Sequence, residues 1–109
     1  MSGTGRVQVS TTAPSGEVAD AIASMLVERR LAACVQIVGP IRSHYRWEGQ
    51  VEHDVEWLCL AKTSAALVEA LTQAILASHP YDEPEVVATP IVGGSEGYLR
   101  WIGDEVGPA

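Results

Sequence analysis

The stretch V-E-H-D-V-E-W-L-C-L-A-K-T, Val51 to Thr63, changes its pattern halfway along. Its first half alternates, with Val51, His53, Val55 and Trp57 set against Glu52, Asp54 and Glu56. From Trp57 to Ala61 it is apolar throughout. Alternation belongs to a strand with one wet face, and a continuous apolar run to a strand covered on both. One strand is therefore expected to start on an exposed hairpin and end in a core.

The segment before it supplies the hairpin partner. A-A-C-V-Q-I-V, Ala32 to Val38, reads as a strand, Gly39–Pro40 bends it, and I-R-S-H-Y-R-W carries it on to Trp47. Glu48–Gly49 then turns the chain. With those two as the only loop residues, Trp47 faces Gln50 and His44 faces His53; a loop one residue longer breaks this register.

Other elements fall on either side. Arg6–Thr12 alternates like a strand. Pro14 ends it, and Ser15 is placed to cap a helix from Glu17 to Leu31, whose stripe is Val18, Ile22, Met25 and Leu26. Glu17 in the first turn and Arg29–Arg30 in the last complement the dipole of that helix. Ser64 is placed to cap a second helix, with Leu67, Val68, Leu71, Ile75 and Leu76 as its stripe. That helix ends near Ser78 or His79, because Pro80 forces its predecessor out of the α region. Glu85–Val92 reads as a strand with Pro90 marking an edge, and Ser95–Val106 as a short helix carrying Tyr98, Leu99, Trp101 and Ile102.

The order is β-α-β-β-α-β plus a terminal helix. It predicts an α+β fold of the ferredoxin-like, split β-α-β kind: one antiparallel sheet with a long central hairpin and two helices on one face. The 109 residues suit a single domain, 1–109, with residues 1–5 expected to be flexible. The hairpin's outer half has too little chain around it to be covered. Exposed strand edges and stranded aromatics such as Tyr45 and Trp47 call for a partner, so a homo-oligomer is expected.

Composition narrows the function. The net charge of −7 speaks against a nucleic-acid partner. No run approaches the roughly 18 apolar residues of a membrane span, and M-S-G-T-G-R-V has no signal-peptide pattern, so cytoplasmic residence without membrane contact is expected. Cys34 and Cys59 sit among apolar neighbours and read as buried reduced thiols. There is no G-x-S-x-G, P-loop or H-E-x-x-H, and no activated nucleophile, so the chain is not expected to be an enzyme. G-G-S-E-G, Gly93–Gly97, precedes a helix and suits an anion, but without a phosphate-loop lysine it reads as a hinge.

Several motifs resemble the CutA family of divalent-cation-tolerance proteins. They are T-T-A-P-S (Thr11–Ser15), E-R-R-L-A-A-C-V-Q-I (Glu28–Ile37), I-R-S-H-Y-R-W-E-G (Ile41–Gly49), L-A-K-T (Leu60–Thr63), S-H-P-Y-D-E-P-E (Ser78–Glu85) and Y-L-R-W-I (Tyr98–Ile102). They occur in order from about Val7 to Val106. The resemblance implies a tight homotrimer whose hairpins pair between subunits, a shape akin to the PII signalling proteins, and a response to metal ions. Some members are assigned copper ligands at a first-strand cysteine and two histidines before Pro-Tyr. Here the first two of those positions hold Thr11 and Ser78, and only His79 matches.

The candidate sites follow. His79 is a metal ligand or a histidine capping a helix C-terminus. His44 and His53, facing on the hairpin about 5 Å apart between Cβ atoms, form a possible pair for Cu(II), Ni(II) or Zn(II), with no cofactor obligatory. Glu48, Glu52, Asp54 and Glu56 read as a solvated acidic face that Arg42, Arg46 or Lys62 pairs with. The other function class is a PII-like sensor binding a small anionic effector at clefts between subunits, with Arg42, Lys62, Tyr81 and Trp101 lining them beside His79. A trimeric scaffold that anchors a partner protein is a third.

Overall fold

The structure, a computed structural model, describes residues 3–108. The chain runs β1 (Arg6–Ala13), α1 (Gly16–Glu28), β2 (Cys34–Trp47), β3 (Gln50–Ser64), a 3₁₀ turn (Ala65–Leu67), α2 (Val68–Ser78), β4 (Val87–Ile91) and α3 (Glu96–Glu105). The four strands form one sheet in the order β2-β3-β1-β4, every neighbouring pair antiparallel. Each crossover helix thus joins parallel strands separated by one antiparallel neighbour, the strand order a split β-α-β requires.

The pattern change at Trp57 is visible in the burial. Cys59, Ala61 and Thr63 are buried, whereas Val51 and Val55 are exposed. Val9 pairs with Ala61 and Thr11 with Cys59, so odd-numbered residues of β1 and inner β3 share one face. Ala19, Ile22 and Leu26 of α1 and Leu71, Ala74 and Ile75 of α2 pack there into a single core. The opposite face is closed at one end by α3, where Ile102 is fully buried and Arg6 Nε donates to the Leu99 carbonyl at 2.8 Å.

Ser15 caps α1 as expected, its Oγ accepting from the Val18 amide at 3.1 Å. The helix stops at Glu28, earlier than expected, because Arg30 turns left-handed with φ 59°. Its guanidinium does not serve its own helix dipole. It donates to the Gly107 and Asp104 carbonyls, capping the C-terminal end of α3 instead. Ser64 makes no cap bond of its own, since the 3₁₀ turn intervenes, and Leu76 is exposed rather than part of the stripe. Pro90 lies on β4, an edge strand. Residues 1–2 of the stretch expected to be flexible lie outside the described residues. Within that stretch the Thr4 amide and hydroxyl both donate to the Ile91 carbonyl.

Gly39 matters for packing. A Cβ there would sit 2.3 Å from Trp57 Cδ1 and 2.7 Å from Cγ, so only glycine lets β2 pass flat over the indole. The ladder shifts register between Val38 and Ile41, and it is through this bulge that the outer hairpin leaves the body.

Candidate functional site

The turn at Glu48 (φ 50°) and Gly49 (φ 80°) is the two-residue, positive-φ type that matches strand twist. It fixes the expected register, with Trp47 opposite Gln50 and His44 opposite His53. The two imidazoles lie 5.6 Å apart between ring centroids, tilted by 37°. Arg42 pairs with Val55 and Arg46 with Val51, so both guanidiniums share the histidine face. Tyr45 pairs with Glu52 and Ser43 with Asp54 on the other face. The outer hairpin is therefore basic on one side and acidic and aromatic on the other. This corrects the expected pairing of Arg42 and Arg46 with the acidic stretch. The only ion pair among the described residues joins Arg100 and Glu96 on α3.

The acidic face is not uniformly solvated either. Glu56 is 7 % exposed, and its Oε2 accepts from the Tyr81 hydroxyl at 2.9 Å. Burial, with the bond to Glu56 second, pushes the Tyr81 phenol well above the ordinary range. Tyr45 donates to Asp54 Oδ2. That bond, with burial and carboxylate repulsion behind it, raises the Tyr45 phenol to about 12 from an ordinary 10.0. A phenol whose folded pKa lies above its unfolded one supports the fold below about pH 10 and loses that support as pH rises through about 12. Asp54→Asn is expected to move the phenolate ultraviolet transition of Tyr45 back down. An unmoved transition would show that Asp54 does not hold this proton.

Pro80 stops α2, and His79 stands just beyond it in extended backbone. Its Nε2 lies 2.7 Å from the Thr12 carbonyl, which only accepts, so Nε2 carries the hydrogen. Nδ1 is then the acceptor, and it takes the Tyr81 amide at 3.1 Å. Both ring nitrogens are engaged, which makes His79 a clasp between the end of β1 and the loop after α2. A metal needs the lone pair that the Tyr81 amide now occupies. The other two family ligand positions contribute little here. The buried Thr11 hydroxyl has no partner among the described residues, and Ser78 Oγ bonds back to the Ala74 carbonyl at 2.9 Å. Among the described residues no three His, Cys, Asp or Glu groups gather as a metal cage.

The expected cleft residues are dispersed within one chain. Arg42 shares the face of Val55 on β3, and Lys62, seven residues on along β3, points from the other face and donates to Gln36. Tyr81 lies under Glu56, while Trp101 stacks on Tyr98 of α3 at 5.4 Å. Of the Gly93–Gly97 stretch, Gly93–Ser95 leads into α3 and Glu96–Gly97 form its first turn, where the Glu96 carboxylate repels an anion. Cys59 is buried, which pushes its thiol up, but Cys34 is only half-buried.

Sequence reasoning missed one feature. A cleft of about 740 Å³ opens between the acidic face of the hairpin and the Tyr81–Glu85 loop, lined by Tyr45, Trp47, Asp54, Glu56 and that loop. The signal was present in the carboxylates of D-E-P-E and of the hairpin, but nothing in spacing says that they meet.

Residues 7–105 match the family model described as CutA1 divalent ion tolerance protein. A divalent-cation tolerance protein CutA from Thermus thermophilus is 48% identical over 99 residues, covering 91% of this chain and 96% of its own length. A chloroplastic CutA protein from Arabidopsis thaliana is 47% identical over 88% of this chain, which spans about half (53%) of it. Among solved structures, that of the T. thermophilus divalent cation tolerance protein superposes with a TM-score of 0.91 at 47% identity, covering 94% of this chain and 99% of the other. CutA1 from Oryza sativa superposes with a TM-score of 0.91 at 41% identity, covering 95% of each. The sheet order, the motifs and the match over residues 7–105 agree: the chain belongs to the CutA1 divalent ion tolerance protein family.

Proposed function

We propose that the chain acts in divalent-cation tolerance as a non-enzymatic homotrimer that holds copper or a similar divalent ion weakly. The observation that carries the metal part is the facing of His44 and His53 across the hairpin, 5.6 Å between ring centroids. Two imidazoles suit Cu(II), Ni(II) or Zn(II). The neighbouring Arg42 and Arg46 oppose a cation, which keeps the affinity low. The relatives' name, divalent-cation tolerance protein, agrees with this reading.

The trimer is supported by what the hairpin leaves uncovered. Val51 is 66% and Val55 54% exposed on one face of the hairpin, and Tyr45 and Trp47 are exposed on the other. The outer edge of β2 has no strand beside it among the described residues. A trimer also brings together residues that one chain keeps apart, which is the condition any Arg42–Lys62–Tyr81–Trp101 effector cleft has to meet. We place the protein in a reducing compartment such as the cytoplasm, a reading supported by two unpaired cysteines. No helix among the described residues is long and apolar enough to cross a membrane.

The test is copper titration of the native protein and of His44→Ala/His53→Ala. Loss of outer-shell partners alone costs a metal site about 10–100-fold in affinity, and losing both imidazoles is expected to cost at least as much. His79→Ala is expected to cost less, because copper there must first displace the Tyr81 amide. Unchanged affinity in the double variant sinks the His44–His53 assignment.

A further inference from the structure

The face that carries His44 and His53 is ill suited to a bare metal ion. Arg42 pairs with Val55 and Arg46 with Val51, so one guanidinium stands two residues before His44 and another two residues after it. Each is about 7 Å away along the strand. Neither has an acidic partner among the described residues, where the one ion pair is Arg100–Glu96. A pocket of about 460 Å³ opens on this side, lined by Arg42, His44, His53, Asp54 and Val55. Asp54 borders it, but its carboxylate accepts from Tyr45 on the other face. The pocket has room for a small molecule, more than an ion needs.

Two imidazoles supply two donors, and a copper, nickel or zinc ion takes about four. Water in the open positions leaves the arginines opposing the ion. An anionic ligand there reverses the sign, because metal and chelator together carry a negative charge that the guanidiniums attract. The fixed fork of a guanidinium matches a carboxylate with two parallel hydrogen bonds. Arg42 and Arg46 lie about 13 Å apart at the backbone, with the histidine pair between them. A chelator with several carboxylates reaches both, and a single-centred anion does not.

Subunit contact adds to the argument. Val51 and Val55 stand on either side of His53 on this face, and a copy that covers them also takes water from the arginines. A guanidinium desolvated without a counter-charge is costly, and a bound polycarboxylate supplies that charge.

We propose that the His44–His53 site takes its metal as a polycarboxylate chelate, the imidazoles holding the ion while Arg42 and Arg46 hold the chelator's free carboxylates. The inference rests on the histidine reading above and adds the chemical class of what binds there.

Equilibrium dialysis of the native protein against radiolabelled citrate, with and without equimolar Cu(II), tests the proposal. With copper, about one citrate per histidine pair is expected to be retained below about 1 mM, and without copper retention is expected to be at least tenfold weaker. Arg42→Gln/Arg46→Gln is expected to weaken citrate retention about tenfold or more. The same variant is expected to bind copper supplied without citrate as tightly as before or more so, which also shows that its hairpin is intact. His44→Ala/His53→Ala is expected to lose copper and citrate together. A native protein that binds copper but retains no citrate overturns this proposal and leaves the histidine assignment standing, whereas one that binds neither removes both. Equal citrate retention in the native protein and the arginine variant also overturns it. Displacement of citrate by inorganic phosphate at parity overturns the polycarboxylate class.

Discussion

Gly39→Ala is expected to lower stability by about 2–3 kcal/mol, the cost of overpacking a site that cannot yield. For a domain of this size that is roughly 10 °C or more in melting temperature. The new methyl would meet ring carbons of Trp57 at 2.3 and 2.7 Å and its Nε1 at 2.9 Å. These are atoms of a rigid ring, not the far end of a flexible chain. A Cβ on Gly16 would lie 3.7 Å from Nε1 of the same indole, and the ring packs against the main core, so retreat disturbs helix packing. Gly97 supplies the contrast. It lies in α3 with nothing within 4 Å of a new Cβ, and alanine there is expected to stabilise by about 0.5–1 kcal/mol through helix propensity. Thermal denaturation of both variants reads the opposite signs. A double-mutant cycle with Trp57→Ala assigns the cause: Gly39→Ala is expected to cost far less once the indole is gone. An equal cost in both backgrounds refutes the indole clash.

Much of this architecture was legible because local rules and tertiary packing agree. Ser15, Pro80, Pro90 and Glu48–Gly49 each punctuate the chain where the physics of caps, prolines and tight turns says they must. The two-residue turn fixes parity, and parity places His44 against His53 with no further information. The same parity puts Arg42 and Arg46 on the face away from Glu52, Asp54 and Glu56. The expected charge pairing ignored that consequence of a rule already in use.

Other errors had a different origin. Glu56 looked solvated because alternation tells which face a side chain takes, not what loop lies over that face. Its cover is Tyr81, 25 residues later in the chain, held in place by the two bonds of His79. Arg30 looked like a complement to its own helix, but the left-handed turn redirects it to α3. Contacts of this length are set by the closed fold rather than by the neighbours of a residue. Thus the histidine pair, formed by one local turn, was readable in advance, and the acidic cleft, formed by a hairpin and a distant loop, was not.

Val51→Glu/Val55→Glu is expected to convert a trimer into monomers without harming the hairpin itself. Val51 faces Arg46 and Val55 faces Arg42, so each new carboxylate gains an opposite charge directly across the ladder. Such cross-strand pairs contribute about 0.2–1 kcal/mol. The isolated chain therefore keeps or slightly gains stability. In an assembly that covers these valines the sign reverses. Both are more than half exposed in the single chain, and their burial between copies would now desolvate charge. An imperfectly satisfied buried charge costs at least about 1–3 kcal/mol. A closed ring of three has three equivalent interfaces, so the penalty is incurred at each of them. A total of roughly 6 kcal/mol or more weakens trimer association by about 10⁴-fold or beyond. Sedimentation velocity at micromolar protein reads this directly: three-chain species for the native sequence, single chains for the variant, with circular dichroism of both showing the same strand and helix content. A native protein that sediments as one chain refutes the trimer. A variant that stays trimeric shows that the hairpin valines lie outside the interface, which moves it to the unpaired edge of β2 or to β4.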